Sequence, residues 1–412
     1  MKCSRNTLWL AADVALFLAF MALVTLFLET GIEDARINYR YARNLVRGNG
    51  MVYTPGEFVE GTSCIAWTAA LAGLYRVGFD LPWAGRFLAM LGAGGFFLVL
   101  RHVSKRLFGA GSWRARIPLL GVVCATCVPA SFGNLLEGAG VACLIAMLAW
   151  GIVERRWAIM ALAAASLMPL RPEGPAYAVL AGLWLIFEAR AKRVSSRDVW
   201  RYMAVTECAL LLLILFRFWY FGDILPNPIR AKGPAPEDLD VLGRFDYALA
   251  YLLQVGTVAV PLGVLAALCR KTRPVALALL GLAALNVVIA GARGDWMLHY
   301  RLLTPYFQLL LLAAALGLSA LEPAAALWRG LAAAALLASL VAAIAPGDIA
   351  AAWRGFQVER LLPAFVPDPA SNIAENRIAR SLSNLDLARP DDLAAVELGG
   401  GDGFAFDGVP VI

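Results

Sequence analysis

Charge is scarce in this chain. Only 16% of its 412 residues are Asp, Glu, Lys or Arg, against roughly 25% in an ordinary soluble domain. With 60% hydrophobic residues beside so little charge, the composition excludes a disordered chain and a nucleic-acid binder. Cysteine is sparse too. The seven cysteines sit mostly inside apolar runs, with no Cys/His set at metal-ligand spacing, which excludes a disulfide-rich secreted module. Cys124 and Cys127 form a C-x-x-C, but among apolar and small residues. They read as two small packing residues on one helix face rather than a redox or zinc pair. No internal repeat stands out.

What the sequence does have is apolar runs. Mean hydropathy is +0.69, and a helix needs ~20 apolar residues to cross ~30 Å of hydrocarbon. Candidate spans are 8–28, 61–79, 82–100, 117–131, 138–153, 157–170, 172–188, 200–219, 248–268, 274–291, 302–320 and 328–346. Several are short, so the expectation is an all-α polytopic membrane protein of about 10–12 helices. Backbone groups in lipid must be satisfied within the segment, which favours helices over strands. Leu8–Leu28 is too long for a signal peptide's apolar region and reads as a retained first span.

The net charge of +6 is unevenly placed. Residues 347–412 carry ten acids and five bases, leaving +11 before them. Arg155–Arg156, the loop Arg190–Arg201 and the loop Arg270–Arg273 mark cytoplasmic connections. Counting from these puts 29–60, Arg171–Gly174, Phe221–Asp246 and Ala292–Tyr300 on the outer side. Segment 101–116 conflicts with that count. It holds six basic or histidine side chains and no acid, yet falls outside if 61–79 and 82–100 both cross, so one of the neighbouring runs does not span. Residues 1–346 read as one transmembrane unit. Residues 347–412 read as a short outer-face tail with a strand or two, resembling the start of a truncated soluble domain.

The outer loops are unusually polar. In residues 34–47, set on a helix, Arg36, Arg40, Arg43 and Arg47 fall within about 60° of each other. Ile37, Tyr41 and Leu45 form a separate apolar strip, as in a helix lying in the membrane interface, and Gly48 and Gly50 end it. Two readings of the arginines stand: headgroup anchoring by the stripe, or phosphate binding by a member such as Arg40 or Arg43, since Arg offers a bidentate fork. Glu33 and Asp34 lie at the end of span one, as helix-capping acids or as a general base at the membrane surface. Arg171 and Glu173 occupy a break between apolar runs. Glu137 opens another run, to cap its helix or face a cavity. Asn227, Arg230 and Lys232 follow span 200–219, and Arg293, Asp295, His299 and Arg301 lie between two spans. Each loop alone reads as an interfacial connector. Four together on one side suggest a shared polar site.

In order, the motifs are Glu33-Asp34, Tyr39-Arg-Tyr-Ala-Arg-Asn44 with Gly48-Asn-Gly50, Pro55-Gly-Glu57 and Val59-Glu-Gly-Thr-Ser63. Then come Leu135-Leu-Glu-Gly138, Arg171-Pro-Glu-Gly174, Leu225-Pro-Asn227 with Ala231-Lys232, and Gly294-Asp-Trp-Met297 with Tyr300-Arg301. This ordered set, over residues 8 to 346, resembles the GT-C superfamily of polyprenyl-phosphate-dependent membrane glycosyltransferases, in particular the branch of terminal β-arabinofuranosyltransferases of actinobacterial cell walls. The resemblance implies a polyprenyl-phosphate sugar donor, a glycan, lipid or protein acceptor presenting a hydroxyl, and inversion at the anomeric carbon. It implies a bacterial-type inner membrane with the site facing the periplasm or exterior. It places the catalytic acids at Glu33 and Asp34, with Asp34 the first choice of base because relatives usually carry Asp-Asp. Arg171, Glu173, Asn227, Lys232, Asp295, His299 and Arg301 fall where donor or acceptor is expected. Some members use a divalent cation; nothing in the spacing here demands one. The alternative is a transporter or flippase of a lipid-linked sugar, which would more often show internal repeats and broken helices at mid-membrane.

Overall fold

The structure is a computed structural model describing residues 5–28, 34–231, 245–293, 300–321 and 326–342. Glu33, Lys232, Asp295, His299 and the tail 347–412 lie outside the described residues. Among those described, regular structure is entirely helical. In chain order the helices are α1 (Arg5–Phe27), α2 (Asp34–Val46), α3 (Ile65–Arg76), α4 (Leu81–Phe108), α5 (Ile117–Cys124), α6 (Cys127–Gly133), α7 (Gly138–Glu154) and α8 (Trp157–Leu167). They continue as α9 (Gly174–Arg190), α10 (Ser196–Phe221), α11 (Asn227–Ala231), α12 (Asp246–Tyr251), α13 (Ala259–Leu268), α14 (Arg273–Arg293), α15 (Phe307–Ala320) and α16 (Ala326–Ala342).

Four helices, α1, α4, α10 and α14, are long and apolar enough to cross a membrane on their own, and the number is six if each of two bent pairs counts as one span. The chain is thus an integral membrane protein, but length alone supports fewer full spans than the ten to twelve expected. One bent pair is the turn before α5 with α5 and α6, kinked by 57°; the other is α12 and the following π-turn with α13, kinked by 79°. The first kink lies between Cys124 and Cys127. The two cysteines therefore sit on separate helices, not on one face as the spacing suggested, and both are free thiols.

Local signals explain the long helices. The Ser195 hydroxyl accepts the amide of Arg197 to start α10, and Gly222, at φ 71°, ends it in a left-handed turn. Along α10, Leu211, Leu212, Leu215, Phe218 and Trp219 face outward, as lipid-facing side chains do. α15 is the opposite case. Every residue from Phe307 to Leu318 is buried, so it is the bundle's central post. Small residues let the backbones close. A Cβ on Gly92 of α4 would lie 2.9 Å from the α7 backbone, and one on Gly317 of α15 would run into the Leu262 carbonyl of α13.

Segment 101–116 finds its place through α3. That helix has 12 residues, about 18 Å at 1.5 Å per residue, packs on α2, and is not among the helices long and apolar enough to cross a membrane. α4, which is long and apolar enough, carries Arg101 and Lys105 to the N-terminal half of α1. There Asp13 meets Arg101 (2.9 Å), Lys105 (2.6 Å) and Arg116 (2.9 Å). Glu154, at the end of α7, bonds His102 and Arg106 of α4 at the same pole, and Glu188 of α9 bonds Arg155 and Arg193. The bundle thus has a basic pole. The start of α2, the α6–α7 turn, the α8–α9 break and Arg301 gather at the other.

Candidate active site

Five charged groups meet at that second pole in a line of alternating sign. Asp34, in the first turn of α2, accepts a hydrogen bond from Arg301 Nη1 (3.0 Å). Arg301 Nη2 lies 3.7 Å from Glu137 Oε1. The same Glu137 oxygen accepts from Arg171 Nη1 (2.8 Å). Arg171 turns its remaining edge to Glu173, with Nε and Nη2 at 2.7 and 2.6 Å from Oε1. Asp34 and Arg301 are 267 positions apart in the chain, so only the fold brings them together.

Burial differs along the line. Glu137, Arg171 and Glu173 are buried, Arg301 is mostly covered, and the Asp34 side chain keeps 33% of its exposure. Burial alone would push the Glu137 carboxyl up, but Arg301 and Arg171 outweigh it and hold the group below its ordinary range. Three acids surround two arginines, so the line carries a formal −1. The helix dipole of α2 favours negative charge at Asp34. Its accessible end is a carboxyl group held by one guanidinium and open on one side, the placement a proton acceptor needs.

The polar wall beside the line comes from α2 and α3. Asn38, one turn after Asp34, is buried, and its side-chain oxygen accepts from Thr62 Oγ1 (2.7 Å) and Thr68 Oγ1 (3.4 Å). On the inner side, Tyr177 stacks on Tyr306 with ring centroids 4.8 Å apart. A second buried ion pair, Glu60 with Arg217, fixes the first loop to the end of α10, with Arg217 Nη2 2.9 Å from Glu60 Oε1. Burial pushes the Glu60 carboxyl above its ordinary range despite Arg217. Tyr41 accepts the Gly61 amide and donates to the Val59 carbonyl, and burial raises its hydroxyl to about 12.

Of the residues picked out from sequence, Asp34, Arg171, Glu173 and Arg301 converge. Arg40 and Arg43 do not join the line. Both are buried, and Arg40 donates to the Tyr53 carbonyl and lies over the Tyr53 ring, so it braces the first loop. Ile37 and Tyr41 pack toward Phe216 and Tyr220 of α10. Asn227 is exposed at the start of α11, its amide bonded to the Glu60 carbonyl. Glu137, at the centre of the line, carried only a cap-or-cavity reading in the sequence. Glu60, Arg217, Asn38 and Thr62 were missed as partners. The usable signals were a charge inside the apolar run of α10 and an acid opening the run of α7. Among the described residues no group of three His, Cys, Asp or Glu is placed to hold a metal ion, and the acids of the line are already paired to arginines.

The class defined by fold and site is an α-helical membrane protein with a buried ionic line at one pole, ending in a half-exposed carboxylate. No family model matches the chain. Over 268 residues it is 28% identical to the terminal β-(1→2)-arabinofuranosyltransferase of Mycobacterium tuberculosis, an alignment covering 58% of this chain and 41% of that protein. The chain therefore spans less than half the length of the curated relative it matches.

Proposed function

We propose that this chain is an inverting glycosyltransferase of GT-C type that moves a sugar from a polyprenyl-phosphate donor to an acceptor hydroxyl. Positive loops favour the cytoplasm, so the basic pole faces inward and the ionic line faces the periplasm or cell exterior. In this reading the shorter helices α7, α8, α15 and α16 complete the bundle. The observation that carries it is the Asp34 carboxylate, half exposed and anchored by Arg301 to the buried Glu137–Arg171–Glu173 group. The similarity to an arabinofuranosyltransferase supports the same chemistry.

Asp34 takes the proton of the acceptor hydroxyl as its oxygen attacks the anomeric carbon from the face opposite the phosphate. The new C–O bond forms as the bond to phosphate breaks, and polyprenyl phosphate leaves with the electron pair. Configuration at the anomeric carbon inverts. Arg301 holds the Asp34 carboxyl group in one orientation. Glu33 is the second acid proposed for this step.

The test is transfer of a radiolabelled sugar from a polyprenyl-phosphate donor by the purified protein in nanodiscs. The wild type gives a new glycosidic bond. Asp34→Asn, which removes the base and keeps the shape, cuts turnover about 10³-fold, within the range for a general base, while the melting temperature stays close to wild type. A full-length protein that moves the lipid-linked sugar across the bilayer without forming a glycosidic bond would be a flippase, and the reading would fall.

A further inference from the structure

The short helix α3 packs on α2, and its first turn is tied on both sides to the elements that carry the ionic line. On one side, Thr62, just before α3, donates from Oγ1 to Asn38 Oδ1 at 2.7 Å. Thr68, one turn into α3, donates to the same oxygen at 3.4 Å, and the Cys64 thiol approaches it at 3.5 Å. All four side chains are buried. Asn38 follows Asp34 by one turn on α2, so the two share a helix face. On the other side, the Ala66 amide donates to the carbonyl of Pro169 at 3.0 Å. Pro169 stands two residues before Arg171, in the break that carries Arg171 and Glu173. One turn of α3 thus joins the helix that presents Asp34 to the break that carries Arg171 and Glu173, the buried end of the line.

We infer that Asn38, Thr62 and Thr68 are positioning residues, whose shared hydrogen bonds set the rotation of α2 and hence the placement of Asp34 against Arg301. A single acceptor with two hydroxyl donors fixes a rotation better than packing does, because turning α2 breaks both bonds at once and strands buried polar groups. The neutral triad also adds no charge to the line. In its activity arm the inference rests on the proposed transferase reading; a second arm does not.

The experiment compares wild type, Thr62→Val and Thr62→Ser in nanodiscs. Thr62→Val keeps the shape and removes the donor. It lowers kcat by about 10²-fold, the cost of a displacement near 1 Å, with KM for the donor within about twofold of wild type. Thr62→Ser restores kcat. Thr68→Val, which removes the longer bond, gives a smaller fall of the same kind and stands in if Thr62→Val does not fold. A wild-type kcat in both valine variants, or a loss that serine does not restore, overturns the inference. The arm independent of activity is a double-mutant cycle on melting temperature with Thr62→Val and Asp34→Asn. Non-additive shifts are expected, because the two sites share α2 and its contacts; additive shifts overturn the inference. If the wild type transfers no sugar, the transferase reading falls, and the inference stands or falls on the cycle alone.

Discussion

The two poles of the bundle use the same parts in opposite proportion. At the basic pole one acid serves several bases: Asp13 holds Arg101, Lys105 and Arg116. Arg116 is further spent on the Ser112 and Trp9 carbonyls and lies over the Trp9 ring. At the other pole three acids share two arginines, and the last acid, Asp34, stays half open. The first arrangement ties α1, α4 and the turn before α5 together and leaves no carboxylate to act on anything else. The second places a surplus carboxylate where the protein is accessible. The contrast separates an ionic cluster that holds helices from one suited to chemistry.

Exchanging equivalent acids gives the largest contrast. Asp34→Asn removes transfer with little effect on stability. Asp13→Asn is expected to do the reverse: it strands three bases around a buried site and costs about 3 kcal/mol, as breaking a buried pair typically does. Melting temperature and turnover per folded molecule, measured on both variants, check the division. If Asp13→Asn abolishes turnover in molecules that remain folded, the two poles are not separate in role.

A smaller effect is expected from Arg171→Lys. The guanidinium meets Glu137 and Glu173 along two edges at once, which an ammonium cannot reproduce. Turnover should fall about tenfold, with a modest loss of stability, since one charge-assisted hydrogen bond to a buried carboxylate is worth roughly 1.5–3 kcal/mol. Arg155→Lys at the basic pole, where Glu188 is also held by Arg193, should leave turnover unchanged. Steady-state kinetics on the two variants decide the matter.

The smallest effect is a pH dependence. Glu137 titrates below its ordinary value in the folded protein, so its contribution to stability is complete above the ordinary carboxyl range and is lost as pH falls through the lowered value. Glu60 titrates above its ordinary value, so acid relieves a cost there before Glu137 is protonated. Melting temperature followed from pH 7 downward should fall late in wild type, and the late fall should shrink in Glu137→Gln. An unchanged fall in that variant would remove Glu137 as its source.

Much of the site was legible because its residues break local rules. Asp34, Arg171, Glu173 and Arg301 interrupt apolar runs, and a charge beside hydrocarbon is costly enough to announce a partner. The partners themselves were not legible. Glu137 reads as a helix cap or a cavity-facing acid until the turn before α7 is set beside the break before α9, and Arg217 reads as the edge of a span until the first loop folds back over it. What surrounds Arg40 was hidden for a different reason. A helical wheel gives the angle of a side chain but not what covers it, and here the loop carrying Tyr53 covers Arg40. The number of full spans was less legible, because periodicity marks apolar segments without separating a crossing helix from a packed or kinked one.

In the proposed topology the shortness of α3 reaches well beyond its neighbours, because it sets the side on which each later segment emerges. A few added apolar turns there would make α3 a crossing helix, and every later segment would emerge on the opposite side. Glu137, Arg171 and Arg301 would then lie a bilayer away from Asp34. Within the proposed topology the meeting of Asp34 with its distant partners depends on a helix that stops early.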